Sequence, residues 1–89
     1  MAYKYPFGDA DDAMKRAVWQ KGQPIAGYDS SLWRQDVYGT AMQFAEHGNT
    51  DSRYGWEIDH IVPVAKDGSD RLSNLQPLQW ENNRTKADN

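Results

Sequence analysis

Residues 56–88 read WEIDHIVPVAKDGSDRLSNLQPLQWENNRTKAD, and the breakers within this stretch decide the fold. Its opening, WEIDHIV, is aromatic and β-branched and stops at Pro63, which cannot donate to a ladder, so a strand is predicted over 56–62. KDGSDR (66–71) is turn chemistry. Residues 75–79 form a second short strand, with Pro77 marking an edge or a bulge. Residues 80–87 carry no breaker and predict a terminal helix. The order is strand, long loop, strand, helix.

Outward from this stretch the signals weaken. Residues 47–55 (HGNTDSRYG) are a loop. Residues 40–46 alternate weakly, with Thr40, Met42 and Phe44 on one side, which predicts a strand, though the same letters tolerate a helix. Asp29 or Ser30 can cap a short turn through Leu32, Trp33 and Arg34. Residues 22–29 are a linker rich in Gly and Pro. Ala10, Ala13, Met14, Ala17 and Val18 recur at helical spacing, so a helix is predicted over 10–20, capped by Asp9 and ended by Lys21 and Gly22. Residues 1–8 read as an arm, whose Tyr3 and Tyr5 are either nucleic-acid contacts or an untethered tail.

Composition narrows the class. Eighty-nine residues suffice for one domain and not two. At 38% hydrophobic, with four Trp and five Tyr, the chain is too aromatic for a disordered one. The absence of Cys excludes disulfides, thiol catalysis and thiolate zinc sites. No apolar run approaches a membrane span, and the N-terminal residues carry no signal-type apolar stretch, so a cytoplasmic location is expected. The net charge of −3 gives no single-sign field to attract nucleic acid.

The chemistry sits in the pair Asp59-His60, then Asn74, then Asn83, at spacings of fourteen and nine residues. Each has an ordinary explanation alone: a polar pair on a strand, a turn former, a solvated helix residue. Together, on a strand–loop–strand–helix order, they resemble the HNH nucleases, the ββα-metal family. The matching elements are Asp59-His60 followed by Ile-Val-Pro, the Gly68-Ser69-Asp70 turn, Asn74-Leu75, and Asn83-Arg84 with Lys86, over roughly 54–88. Residues 33–39 loosely resemble the segment that precedes this core.

The resemblance implies roles position by position. His60 matches the general base that takes a proton from water, Asp59 matches a metal ligand, and Asn83 stands where the family has its last His or Asn ligand. Asn74 matches the Asn that hydrogen-bonds backbone near the base. The residue chemistry agrees. Phosphodiester hydrolysis needs an activated water and positive charge on the leaving oxygen, and an imidazole can accept a proton near neutral pH. Asp59 and Asn83 offer oxygen, which suits Mg²⁺ or Mn²⁺ better than Zn²⁺. In a regular strand Asp59 and His60 face opposite sides, so one shared site requires a departure from strand geometry. Many members of the family also hold a structural zinc with two Cys pairs. Here the second pair's positions hold Gln79 and Asn82, and residues 39–42 have no Cys, so no structural zinc is expected and Trp56 and Trp80 are candidates for the packing that replaces it.

Arg84 and Lys86 are candidate phosphate contacts, with a solvated helix face as the alternative. Arg34 and Asp36 are expected to form a structural ion pair, and Glu57, pointing away from His60 by alternation, to be structural. The expectation is a small α+β single domain, 1–89: a helical and strand support region over 1–53 and a ββα-metal core over 54–88, made of a two-stranded hairpin plus C-terminal helix. Its function would be divalent-metal-dependent endonuclease action on DNA, with RNA left open, by a one-metal mechanism with a His base. The alternatives are a non-catalytic nucleic-acid-binding module on the same scaffold and a plain interaction domain.

Overall fold

The computed structural model describes residues 12–87. The expected Asp9 cap, the first two residues of the expected helix and the Tyr3–Tyr5 arm lie outside them. Helix α1 runs Asp12–Trp19, with Asp12 in the first turn and Arg16 in the last, the charge order that suits a helix dipole. It ends where Lys21 N and Gly22 N bond back to the carbonyls of Val18 and Trp19. Its inner face delivers Val18 and Trp19 to the interior.

Three short strands follow: β1 (Gln23–Pro24), β2 (Trp33–Gln35) and β3 (Ala41–Gln43), antiparallel in that spatial order. Three boundaries differ from expectation. The 22–29 linker contains β1, because the Arg34 guanidinium reaches across to the carbonyls of Gly22 (2.7 Å) and Gln20 (3.3 Å) and holds that segment beside β2. The turn at Asp29 closes at residue 33, where β2 begins, so Trp33 and Arg34 are strand residues. The strand expected over 40–46 stops at Gln43, and Phe44–Glu46 coil into a single 3-10 turn. The expected Arg34–Asp36 ion pair does not form. Arg34 spends its donors on backbone carbonyls, and Asp36 spends its oxygens on N–H groups described below.

Strands β4 (Trp56–His60) and β5 (Leu75–Gln79) form an antiparallel hairpin in which Trp56 faces Gln79 and His60 faces Leu75, with Pro77 opposite Ile58. Helix α2 (Trp80–Ala87) follows without a linker and packs on both strands. The architecture is α+β, with β4, β5 and α2 as a ββα unit. Its interior is shared with the preceding elements: Val18, Trp19, Met42, Trp56, Ile58 and Leu75 form one buried cluster, flanked by Met14 and Phe44. The Trp19 ring lies 5.1 Å from that of Trp56 and 5.4 Å, edge-on, from Phe44. Both indole N–H groups are satisfied, by Ser30 O and Phe44 O. Each such buried large side chain contributes roughly 1.5–3 kcal/mol, which is how a short chain without disulfides holds β4 in place.

Candidate functional site

The end of β4 is set by one side chain. Ile61 N still donates to Asn74 O (2.8 Å), in the ladder's manner. Val62 N donates instead to Asn74 Oδ1 (2.9 Å), while Asn74 Nδ2 donates to the carbonyls of Val62 (3.0 Å) and Ser69 (2.8 Å). The amide of Asn74 thus imitates a strand neighbour, and β4 ends at His60 rather than at the expected residue 62. The loop it grips is tight. A Cβ on Gly68 would lie 1.7 Å from Val62 O, so only glycine fits where the chain folds back on itself.

That loop carries Asp70 to the imidazole of His60. Nε2 of His60 lies 2.7 Å from Asp70 Oδ1, with the imidazole 4% exposed and Asp70 about half-exposed. A carboxylate at that distance is an acceptor, so Nε2 carries hydrogen and, in the neutral ring, Nδ1 is the basic nitrogen. Nδ1 is shielded from solvent.

The opposite partner set belongs to α2. Asp59 Oδ2 accepts from Lys86 Nζ at 2.7 Å and from Gln76 Nε2 at 2.9 Å. Two residues earlier, Glu57 accepts from Asn83 Nδ2 at 2.9 Å and takes both arms of Arg84, at 2.7 and 3.2 Å. Strand alternation puts Glu57 and Asp59 on one face, and that face meets α2. Glu57, Asp59 and Asn83 are all less than a tenth exposed. The structure therefore groups Asp59, Asn83 and Lys86 with Glu57 at the β4–α2 junction, and places His60 and Asn74 with Asp70 on the loop. The pairing with β5 stays in register through His60, so Asp59 and His60 reach different partners.

Glu57 points away from His60 and is structural, as expected: its buried carboxylate ties Asn83 and Arg84 of α2 to β4. Arg84 and Lys86, expected at phosphate, each spend charge on a buried carboxylate here.

The junction's donors are carboxylate and amide oxygens, the set a hard divalent cation prefers. With Nδ2 of Asn83 committed to Glu57, its Oδ1 is the atom left to serve as a ligand. The seat also accepts positive charge already, in the ammonium of Lys86. Among the described residues there is no group of three or more His, Cys, Asp or Glu that could hold a metal. A divalent ion held by Asp59 and Asn83 alone would take most of its remaining ligands from water.

The start of α2 is positioned by a second cluster. Asp36 is 2% exposed and accepts four hydrogen bonds: from Tyr38 N and Thr40 N on Oδ1, and from Gln79 N and Asn82 Nδ2 on Oδ2, all at 2.9–3.0 Å. Asn82 Nδ2 also reaches Thr40 Oγ1 at 2.9 Å. Gln79 Oε1 caps the helix by accepting from Glu81 N and Asn82 N. Gln79 and Asn82, which stand where zinc-holding relatives carry their second cysteine pair, are tied together by the carboxylate of Asp36. Trp56 packs in the core, as expected of it, whereas Trp80 is half-buried and hydrogen-bonds Ser52 O.

Two antiparallel strands closed by a helix, with Asp-His ending the first strand and Asn on the helix, define a ββα unit of the nuclease type. A family model described as HNH endonuclease matches residues 45–89, just over half of the chain, and the chain belongs to that family. No curated protein and no solved structure matches it significantly. Membership gives the chain a nuclease or nucleic-acid-related function in a family whose nucleases typically use a divalent metal. Among the described residues no helix is long and apolar enough to cross a membrane.

Proposed function

We propose that the chain is a divalent-metal-dependent endonuclease that hydrolyses phosphodiester bonds in DNA, acting as one domain over residues 1–89. The observation that supports it best is the β4–α2 junction: Asp59 and Asn83 stand on a strand and a helix packed together, with buried oxygens of the kind a hard cation prefers. Asp59 and the Asn83 carbonyl oxygen would hold the ion, Mg²⁺ or Mn²⁺ by their donor chemistry. When bound, such an ion supplies positive charge to the scissile phosphate and the leaving 3′ oxygen.

The chain's own residues do the rest. His60 would take the proton of the attacking water, with Asp70 on Nε2 orienting its imidazole. Asn74 holds the 61–72 loop, and through it Asp70, in register with the base. Glu57 orients the Asn83 amide by occupying its N–H. Arg84, about a third exposed and paired with Glu57, is a candidate for contact with a phosphate.

A second reading, a non-catalytic nucleic-acid-binding module, draws on the shielding of Nδ1 and on the neutralisation of Glu57 and Asp59 by Arg84 and Lys86. Plasmid nicking with Mg²⁺, Mn²⁺ or EDTA, with His60→Ala alongside, separates the two. Metal-dependent nicking that is lost in the variant supports the nuclease. A folded wild-type protein that nicks with neither ion would leave the binding module.

A further inference from the structure

The ammonium of Lys86 sits among three oxygens: Asp59 Oδ2 at 2.7 Å, and the main-chain carbonyls of His60 at 2.5 Å and Ile61 at 3.5 Å. Asp59 is 7% exposed, so this is a largely desolvated carboxylate met by a side chain delivered from the last turn of α2. Charges interact more strongly at that depth than on the surface, so the carboxylate holds the ammonium tightly and a second cation on the same oxygen would be strongly repelled by it. The same lysine borders an open cleft of about 370 Å³ lined by Tyr38, Asn82 and Thr85, with Tyr38 64% exposed. That cleft offers the exposed ring of Tyr38, which can stack on a base, while the Asn82 amide N–H groups are held by Asp36 and Thr40 and the Thr85 hydroxyl by Glu81 O, so the lysine itself is the group that would meet a phosphate.

We propose that Lys86 is a tethered counter-ion. It neutralises Asp59 until a divalent cation takes that carboxylate, and the released ammonium then swings into the cleft beside Tyr38 and Thr85 to meet a nucleic-acid phosphate. The proposal rests on the reading of Asp59 as a ligand and of nucleic acid as the substrate. It adds a coupling: ion binding frees the charge that holds the substrate, so each strengthens the other. It also answers the electrostatic difficulty of a chain with a net charge of −3 that must hold a polyanion. The bound ion adds positive charge at the junction and exposes a second positive group.

The test is Mn²⁺ binding by calorimetry on the full chain, for wild type, Lys86→Met, Lys86→Gln and Asp59→Asn, with the fold of each checked by tryptophan fluorescence. Lys86→Gln keeps a donor to the carbonyls without the charge, so it serves if the methionine variant does not fold. Both Lys86 variants are expected to bind Mn²⁺ about tenfold more tightly than wild type, a difference of about 1.4 kcal/mol, and Asp59→Asn much more weakly. A second measurement follows a DNA duplex by fluorescence anisotropy in a His60→Ala background, with Ca²⁺ as the ion. Ca²⁺ is expected to strengthen DNA binding severalfold when Lys86 is present and much less when it is methionine. Wild type that binds Mn²⁺ with folded Lys86 variants binding no tighter overturns the counter-ion role and leaves the nuclease reading standing. Wild type and both Lys86 variants that neither bind Mn²⁺ nor nick DNA with it overturn both.

Discussion

Asp36→Ala should cost more stability than any other single polar substitution among the described residues. The carboxylate is buried and accepts four hydrogen bonds. Two donors, Tyr38 N and Thr40 N, lie in the turn after β2, where water can replace the lost acceptor. The other two, Gln79 N and Asn82 Nδ2, lie at the start of α2, and Gln79 is 2% exposed. A hydrogen bond to a charged acceptor is worth about 1.5–3 kcal/mol net, so these two amount to about 3–6 kcal/mol. A folded chain of this size has roughly 5–10 kcal/mol in all. Urea unfolding followed by the fluorescence of the buried Trp19 and Trp56 reads the change directly. With a slope of about 1.5 kcal/mol per molar urea, the midpoint should fall by about 2–4 M. Asp36→Asn should recover little, because turning one oxygen into an NH₂ sets a donor against two donors. A loss below about 1 kcal/mol for Asp36→Ala would refute the reasoning, since water or a neighbour would then be supplying the missing acceptor.

Three further outcomes are expected. His60→Ala should keep its unfolding midpoint within about 1 M urea of wild type but lose about 10²–10⁴-fold in DNA cleavage; equal cleavage rates would remove His60 as the base. Asn74→Ala frees Val62 N, Val62 O and Ser69 O on a partly exposed loop, so it should cost about 1–3 kcal/mol by the same urea assay, with amide exchange quickening first across 61–70. The Asp29 carboxyl is held below its ordinary pKa, first by the Ser31 hydroxyl and then by the Ser31 N–H. A group depressed in the folded state stabilises above its unfolded pKa, and that share is lost as the pH falls through the folded value. In Ser31→Ala the Asp29 pKa, followed by NMR titration, should therefore rise towards the ordinary value; an unmoved titration would show that the hydroxyl is not the main cause.

Much of the ββα unit could be read from residues 56–88, because its signals are local. Pro63 stops a strand, residues 66–71 can only turn, and residues 80–87 have no breaker; β5 and α2 fall where those signals put them. The two-residue overrun of β4 came from a non-local cause, the Asn74 amide taking Val62 N, which no pattern within 56–62 contains. The N-terminal sheet was harder for the same reason. β1 exists because Arg34 holds the carbonyls of Gln20 and Gly22, a contact between segments that each read as loop. At the site, the motif residues Asp59, His60, Asn74 and Asn83 were visible through their spacing. Their partners were not: Asp70, Glu57 and Gln76 are ordinary polar residues until the hairpin and helix bring them within hydrogen-bond distance. At Asp36 the nearby Arg34 suggests an ion pair, whereas two of its four donors are backbone N–H groups in the next turn and the other two, Gln79 N and Asn82 Nδ2, lie more than forty residues away.

The Asp36 cluster also bears on how the chain comes off the ribosome. Its donors at Gln79 and Asn82 are made long after the acceptor, and Leu75, which completes the buried cluster around Trp19 and Trp56, arrives just before them. Until that segment is made, Val18, Trp19, Met42, Trp56 and Ile58 lack the Leu75 side chain that completes their cluster. The residues of the junction come later still, with Lys86 following Asn83. The β4–α2 junction is therefore assembled only from the last residues of the described chain, after the Asp36 contacts that hold the start of α2.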